Sequence, residues 1–117
     1  VKTFRELKVW EKSHRLTLEI YKCTRKFPSD EKFGLISQIR RAAASIPTNI
    51  VEGFKRKSTK DFLHFLNLAD SSLEETKYHL ILSKDLDYLS QKEFSDFEEL
   101  CDEIGRMLCG LQNKLRC

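Results

Sequence analysis

The sequence predicts an all-α fold, an antiparallel up-and-down four-helix bundle made by one domain over residues 1–117. Three observations predict it. Helix-start signatures recur, in which a Ser or Thr side chain and an acid three residues later satisfy each other's unpaired amides: Thr3-x-x-Glu6, Ser58-x-x-Asp61 and Ser90-x-x-Glu93. Apolar residues return at spacings of three and four rather than two. Four Gly and two Pro are too few for the many turns of an all-β chain. A fourth start follows Phe27-Pro28, with Ser29 or Asp30 as N-cap and acids in the first turn. Helices are expected at about 4–26, 30–56, 59–86 and 91–115.

The first helix has a charged face of Lys8, Glu11, Lys12, Arg15, Glu19, Lys22 and Lys26, about a third of its circumference. The rest holds two apolar rows: Leu7, Trp10, Leu18 and Tyr21, then Val9, Leu16, Ile20 and Phe27. One bundle face needs roughly 100°. The surplus fits a second buried contact with another subunit, or a helix sunk between two neighbours of its own chain. His14 falls on this apolar side, as an interior or interface histidine.

The second helix carries Leu35, Ile39, Ala42, Ile46 and Ile50 on one stripe, beside the small Ala43, Ala44 and Ser45, which let another helix approach closely. Pro47 removes a backbone hydrogen bond and crowds the preceding turn, at about 3 kcal/mol or more. The stripe stays in phase through Ile46 and Ile50, so one helix kinked near Pro47 is expected rather than two shorter ones. Phe62, Phe65, Leu66, Ala69, Leu73 and Leu80 align on the third helix. Phe97, Cys101, Ile104, Leu108, Leu111 and Leu115 form the seam of the fourth.

An apolar share of 40% with 33% charged residues suits a folded chain rather than a disordered one. No run approaches the ~18 apolar residues of a membrane span, and the first residues lack a signal-peptide core, so a cytoplasmic protein without a membrane partner is expected. Cys23, Cys101, Cys109 and Cys117 form no Cys-x-x-Cys pair and read as reduced thiols.

Catalysis finds little footing. His14, His64 and His79 make no four-apart metal pair, and Gly34, Gly53, Gly105 and Gly110 are too scattered for a phosphate-cradling loop. Glu52 near Asn49 lacks a second titratable partner that would make it a general base. It reads instead as a cap, an ion-pair partner or an interface hydrogen-bonding group. No enzyme activity, metal or cofactor is expected.

The net charge of +3 hides an asymmetry. Residues 1–60 hold 15 Lys/Arg against 6 Asp/Glu, and residues 61–117 hold 6 against 12. Such a split suits a polyanionic partner, complementary faces in an assembly, or helix pairs complementing each other within one subunit. In an up-and-down bundle one pole collects the first helix's start, the second-to-third link and the last helix's end. That pole gathers Lys2, Arg5, Lys8, Lys55, Arg56, Lys57, Lys60, Lys114 and Arg116, diluted by Glu6, Glu52 and Asp61. Lys2, Arg5, Lys8, Lys55, Arg56, Lys57 and Lys60, with Lys12 and Arg15 on the first helix's basic face, are the candidate nucleic-acid contacts. Trp10, Leu16, Ile20, Arg41, Asn49 and Glu52 are the candidate contacts to a second copy.

The run Phe33-Gly34-Leu35-Ile36-Ser37-Gln38-Ile39-Arg40-Arg41-Ala42-Ala43-Ala44-Ser45-Ile46-Pro47-Thr48-Asn49-Ile50-Val51-Glu52-Gly53 resembles the hallmark of the four-helix-bundle proteins encoded in bacterial 23S ribosomal RNA intervening sequences. Phe4-Arg5-Glu6-Leu7-Lys8-Val9-Trp10, Phe27-Pro28, Ser58-Thr59-Lys60-Asp61-Phe62 and Ser72-Leu73-Glu74-Glu75-Thr76 extend the likeness over nearly the whole chain. The resemblance implies an antiparallel bundle assembling as a homopentamer. It further implies a fold similar to the accessory variability proteins of diversity-generating retroelements, basic pentamers associated with reverse transcriptase and nucleic acid. Two functions compete on this basis: an oligomer that binds ribosomal or other structured RNA through its basic pole, and a protein–protein scaffold to which nucleic acid is irrelevant.

Overall fold

A computed structural model describes residues 1–116. Four helices follow in order: α1 (Lys8–Thr24), α2 (Leu35–Lys55), α3 (Thr59–Asp85) and α4 (Gln91–Arg116), with 3-10 turns at Phe4–Glu6 and Ser29–Glu31. Every neighbouring pair runs antiparallel, as single contacts at different heights show. Arg40 reaches Thr24 while Thr17 reaches Ala43; Lys26 reaches Glu93 while Lys12 reaches Glu103; Lys77 reaches Asp102 while Gln112 reaches Asn67. Ser45 meets Ser72, and Gly53 lies against Phe62 and Phe65. The chain is an up-and-down bundle 44 Å long.

The helix boundaries depart from expectation where caps behave differently. At Ser90 the box closes reciprocally: Glu93 N–H donates to Ser90 Oγ (3.1 Å) and Ser90 N–H to Glu93 Oε1 (2.9 Å). Ser58 caps α3 through Asp61 N–H. Thr3 instead accepts from Arg5 N–H, and Glu6 from Lys2 N–H, so the box does not close. The chain makes one 3-10 turn, passes through extended Leu7 and starts α1 at Lys8, which leaves Phe4 edge-on to Trp10 at 5.1 Å. The second helix begins at Leu35 rather than near residue 30, because Ser29–Glu31 close a 3-10 turn of their own. Glu31 then serves two elements, accepting from Leu35 N–H (3.3 Å) and Tyr88 Oη–H (2.8 Å).

The expected stripes form the core. Ile39, Ile46 and Ile50 of α2, Leu66, Leu73 and Leu80 of α3, and Cys101, Ile104 and Leu108 of α4 are buried, with Val9, Leu16, Ile20 and Phe27 from the first-helix segment. Among the described residues no helix is long and apolar enough to cross a membrane.

α2 runs unbroken through Pro47. Pro47 has no N–H for the carbonyl of Ala43, a residue with no exposed surface, and an unpaired buried carbonyl costs about 1–3 kcal/mol. α1 supplies the missing donor: Thr17 Oγ1 shares its proton between Ala43 O (3.2 Å) and Ser13 O (2.9 Å). The next two residues bond back along α2, Thr48 Oγ1 to Ala44 O and Asn49 Nδ2 to Ser45 O. Thr17→Val keeps the shape and removes the donor, so it is expected to cost about 1–2 kcal/mol in denaturant unfolding. In a Pro47→Ala background, where residue 47 regains an N–H for Ala43, the same substitution should cost less than half as much. Equal costs in both backgrounds would contradict the assignment.

α3 ends in a Schellman motif: Tyr88 N–H reaches Ser83 O and Asp87 N–H reaches Lys84 O. Asp87 sits at φ 65°, a left-handed position that favours glycine. Asp87→Gly should therefore raise stability, by about 0.5 kcal/mol, read as a small increase in Tm. A lower Tm would show that the aspartate contributes more than its backbone strain costs.

Candidate nucleic-acid interface

The antiparallel order gathers the predicted basic pole. Phe4 shares a groove with Thr48 and Val51, which sets Lys2, Arg5 and Lys8 beside the last turns of α2. Lys55, Arg56 and Lys57 close α2 and lead into α3, whose second residue is Lys60. The negative end of the α2 dipole favours cations there. The Gln112–Asn67 hydrogen bond, 2.8 Å, brings the end of α4, with Lys114 and Arg116, alongside the start of α3.

None of Lys2, Arg5, Lys8, Lys55, Arg56, Lys57 and Lys60 makes a side-chain ion pair among the described residues. All seven are exposed. Two rest on aromatic faces, Arg5 over Phe4 at 5.1 Å and Arg56 over Phe65 at 4.6 Å, which positions the guanidinium without neutralising it. A concavity of about 400 Å³ at this pole is lined by Glu52, Lys55, Arg56, Lys57 and Asp61. The remaining two candidates differ. Lys12 lies 3.6 Å from Glu103, and Arg15 Nε donates to Glu19 Oε2 at 2.7 Å. The α1 face is thus partly internally compensated, and the pole is where cations stand open.

The predicted contacts to a second copy divide. Leu16 and Ile20 have no exposed surface and belong to the core of their own chain, because the row Val9, Leu16, Ile20 and Phe27 is the one that turns inward. They leave no side-chain surface for a partner. The other row stays outward: Trp10 is half-buried, with Leu18 57% and Tyr21 41% exposed. Arg41 and Glu52 are exposed, and Asn49 is half-buried with its amide on Ser45. His14 is not an interior residue. It is exposed, with its ring stacked on Trp10 at 5.0 Å.

Burial pushes the Cys23 thiol up to about 11 and the Cys101 thiol up to about 12, which keeps both protonated and unreactive at neutral pH. Cys109 is exposed, and Cys117 lies outside the described residues. Among the described residues no group of three or more His, Cys, Asp or Glu is placed to hold a metal ion.

The family model of the 23S rRNA-intervening sequence proteins matches residues 5–110. The chain belongs to that family. A solved structure similar to this family member is a protein of unknown function from the S23 ribosomal protein family of Bacteroides thetaiotaomicron. It is 27% identical, with a TM-score of 0.83 over 90% of this chain and 95% of that one. No curated protein matches the chain. The matched segment includes most of the bundle and of the basic pole; Lys2 and the end of α4, with Lys114 and Arg116, lie outside it.

What sequence reasoning missed was polar and interior. Ser13, Thr17 and Thr24 are buried on α1, and their hydroxyls return to carbonyls within the bundle. A signal did exist for Thr17. A proline inside α2 implies an orphaned carbonyl four residues earlier, and hence a donor on whichever helix packs there.

Proposed function

We propose that this family member is a non-enzymatic, cytoplasmic homo-oligomer that binds RNA through its basic pole. One observation carries the reading: seven cations are gathered at one end of the bundle and none is held by a carboxylate among the described residues. Phosphates neutralised there release counterions, so affinity arises from charge and geometry without base recognition. Self-association is supported by the outward row of Trp10, Leu18 and Tyr21 on α1, apolar surface beyond what the single-chain core uses. The family resemblance makes a ring of five copies the expected assembly, and a ring repeats the pole around one axis.

Binding of a structured RNA to the native protein should weaken steeply between about 50 and 200 mM salt, with a logarithmic slope of about −3 or steeper. Light scattering of the same sample should give a mass well above the 13.8 kDa of one chain. An assembled protein with no RNA affinity, or with salt-independent affinity, leaves the scaffold reading in place of this one.

A further inference from the structure

The concavity at the basic pole holds acids as well as cations. Glu52, in the last turn of α2, and Asp61, in the first turn of α3, line it together with Lys55, Arg56 and Lys57. Both carboxylates are exposed, and neither lies within ion-pair distance of a cation among the described residues. They do not tie down the neighbouring cations, and toward a phosphate alone they would only be repulsive. Arg56 differs from the two lysines in being held in place, its guanidinium over the Phe65 ring at 4.6 Å. One face of that flat cation rests on Phe65, which leaves the other for a second flat group. The volume of about 400 Å³ falls within the roughly 300–1,000 Å³ of small-molecule sites, a size for one nucleotide and not for a duplex.

We infer that this concavity takes one unpaired guanine nucleotide of a bound RNA; this rests on the RNA binding proposed above. The cations supply affinity and carry no preference among bases, and the carboxylates supply the preference. A carboxylate has two acceptor oxygens and no donor. Guanine alone presents two adjacent donors on its Watson–Crick edge, N1–H and N2–H, and so meets both oxygens at once. Adenine N6, cytosine N4 and uracil N3 each offer a single donor group beside an acceptor that a carboxylate repels. In a duplex that edge is already paired, so only an unpaired base can present it. With its ring stacked on Arg56 and its phosphates on Lys55 and Lys57, such a nucleotide uses both signs of charge in the concavity.

Three short single strands test this on the native protein: all uridine, the same strand with one central guanine, and the same strand with inosine there, which lacks the N2 amino group. At fixed salt the guanine strand should bind about 10-fold more tightly than the uridine strand, and inosine should lose most of that gain. Pairing the guanine in a duplex should remove the preference. Glu52→Gln combined with Asp61→Asn keeps the side-chain shapes, and circular dichroism checks that the helices remain. It should bring the guanine-to-uridine ratio close to one while affinity for the uridine strand rises, since two negative charges leave a cationic surface. Acids acting through charge alone would leave that ratio unchanged. Equal binding of the three strands, or a ratio that survives in the double variant, overturns the guanine site while RNA binding stands. Guanosine monophosphate bound as tightly as the guanine strand overturns RNA as the source of the nucleotide. A native protein that binds none of the strands overturns the RNA reading itself.

Discussion

Gly53→Ala is expected to destabilise the bundle by about 3 kcal/mol, although helix propensity alone predicts a gain of about 1 kcal/mol. Gly53 lies inside α2, where alanine is the better helix former. A Cβ built there would sit 2.8 Å from Phe65 Cβ, 2.9 Å from Phe62 Cδ1 and 3.3 Å from the Phe62 carbonyl oxygen. The first of these is fixed to the α3 backbone, so the clash is relieved only by moving α2 and α3 apart. That separation would loosen the packing of Ile46 and Ile50 against Leu66 and Ala69, all fully buried. For a domain of this size, 3 kcal/mol corresponds to a Tm fall of roughly 10–20 °C. Gly110 is the control. It is exposed inside α4, and a Cβ added there would meet nothing within 4 Å, so Gly110→Ala should follow propensity and raise Tm slightly. Two substitutions of one kind should thus have opposite signs, and a stabilising Gly53→Ala would refute the close α2–α3 approach.

The largest functional effect is expected from Lys55→Ala, Arg56→Ala and Lys57→Ala made together. If each cation meets one phosphate, the logarithmic salt slope should become shallower by about 2, and RNA affinity at low salt should fall about 100-fold. In an oligomer every copy loses its three cations, which makes that figure a lower expectation. Stability should change little, because all three are exposed and none is ion-paired among the described residues. Arg56 is the exception to watch, since removing it uncovers part of the Phe65 ring.

Much of this architecture is legible in the residues, for identifiable reasons. Apolar spacing depends on burial, which is a property of the whole helix. The stripes Leu35–Ile39–Ile46–Ile50 and Phe97–Cys101–Ile104–Leu108 therefore appear where the pattern puts them. Helix starts depend on one or two hydrogen bonds, and they are less evenly legible. Ser90 and Glu93 close their box, but Thr3 bonds to Arg5 N–H two residues on, so the helix waits until Lys8. Periodicity also supplies both apolar rows of α1 without saying which one faces the core. Only the packing of α1 between α2 and α4 assigns Leu16 and Ile20 inward and Leu18 and Tyr21 outward. The pole is predictable from connectivity alone. The engagement of Lys12 by Glu103 is not, because it requires knowing which turn of α4 lies opposite which turn of α1.

That last difference gives the most direct test of the central claim, that RNA binds at the open cations of the pole. The affinity of a structured RNA should be measured across salt for the native protein, for the triple pole variant, and for a face variant carrying Lys12→Ala and Arg15→Ala. The expected result is a large loss and a shallower salt slope for the pole variant, with the face variant within about three-fold of native, since its cations already face Glu103 and Glu19. Equal losses in the two variants, or a loss confined to the face variant, would contradict the account.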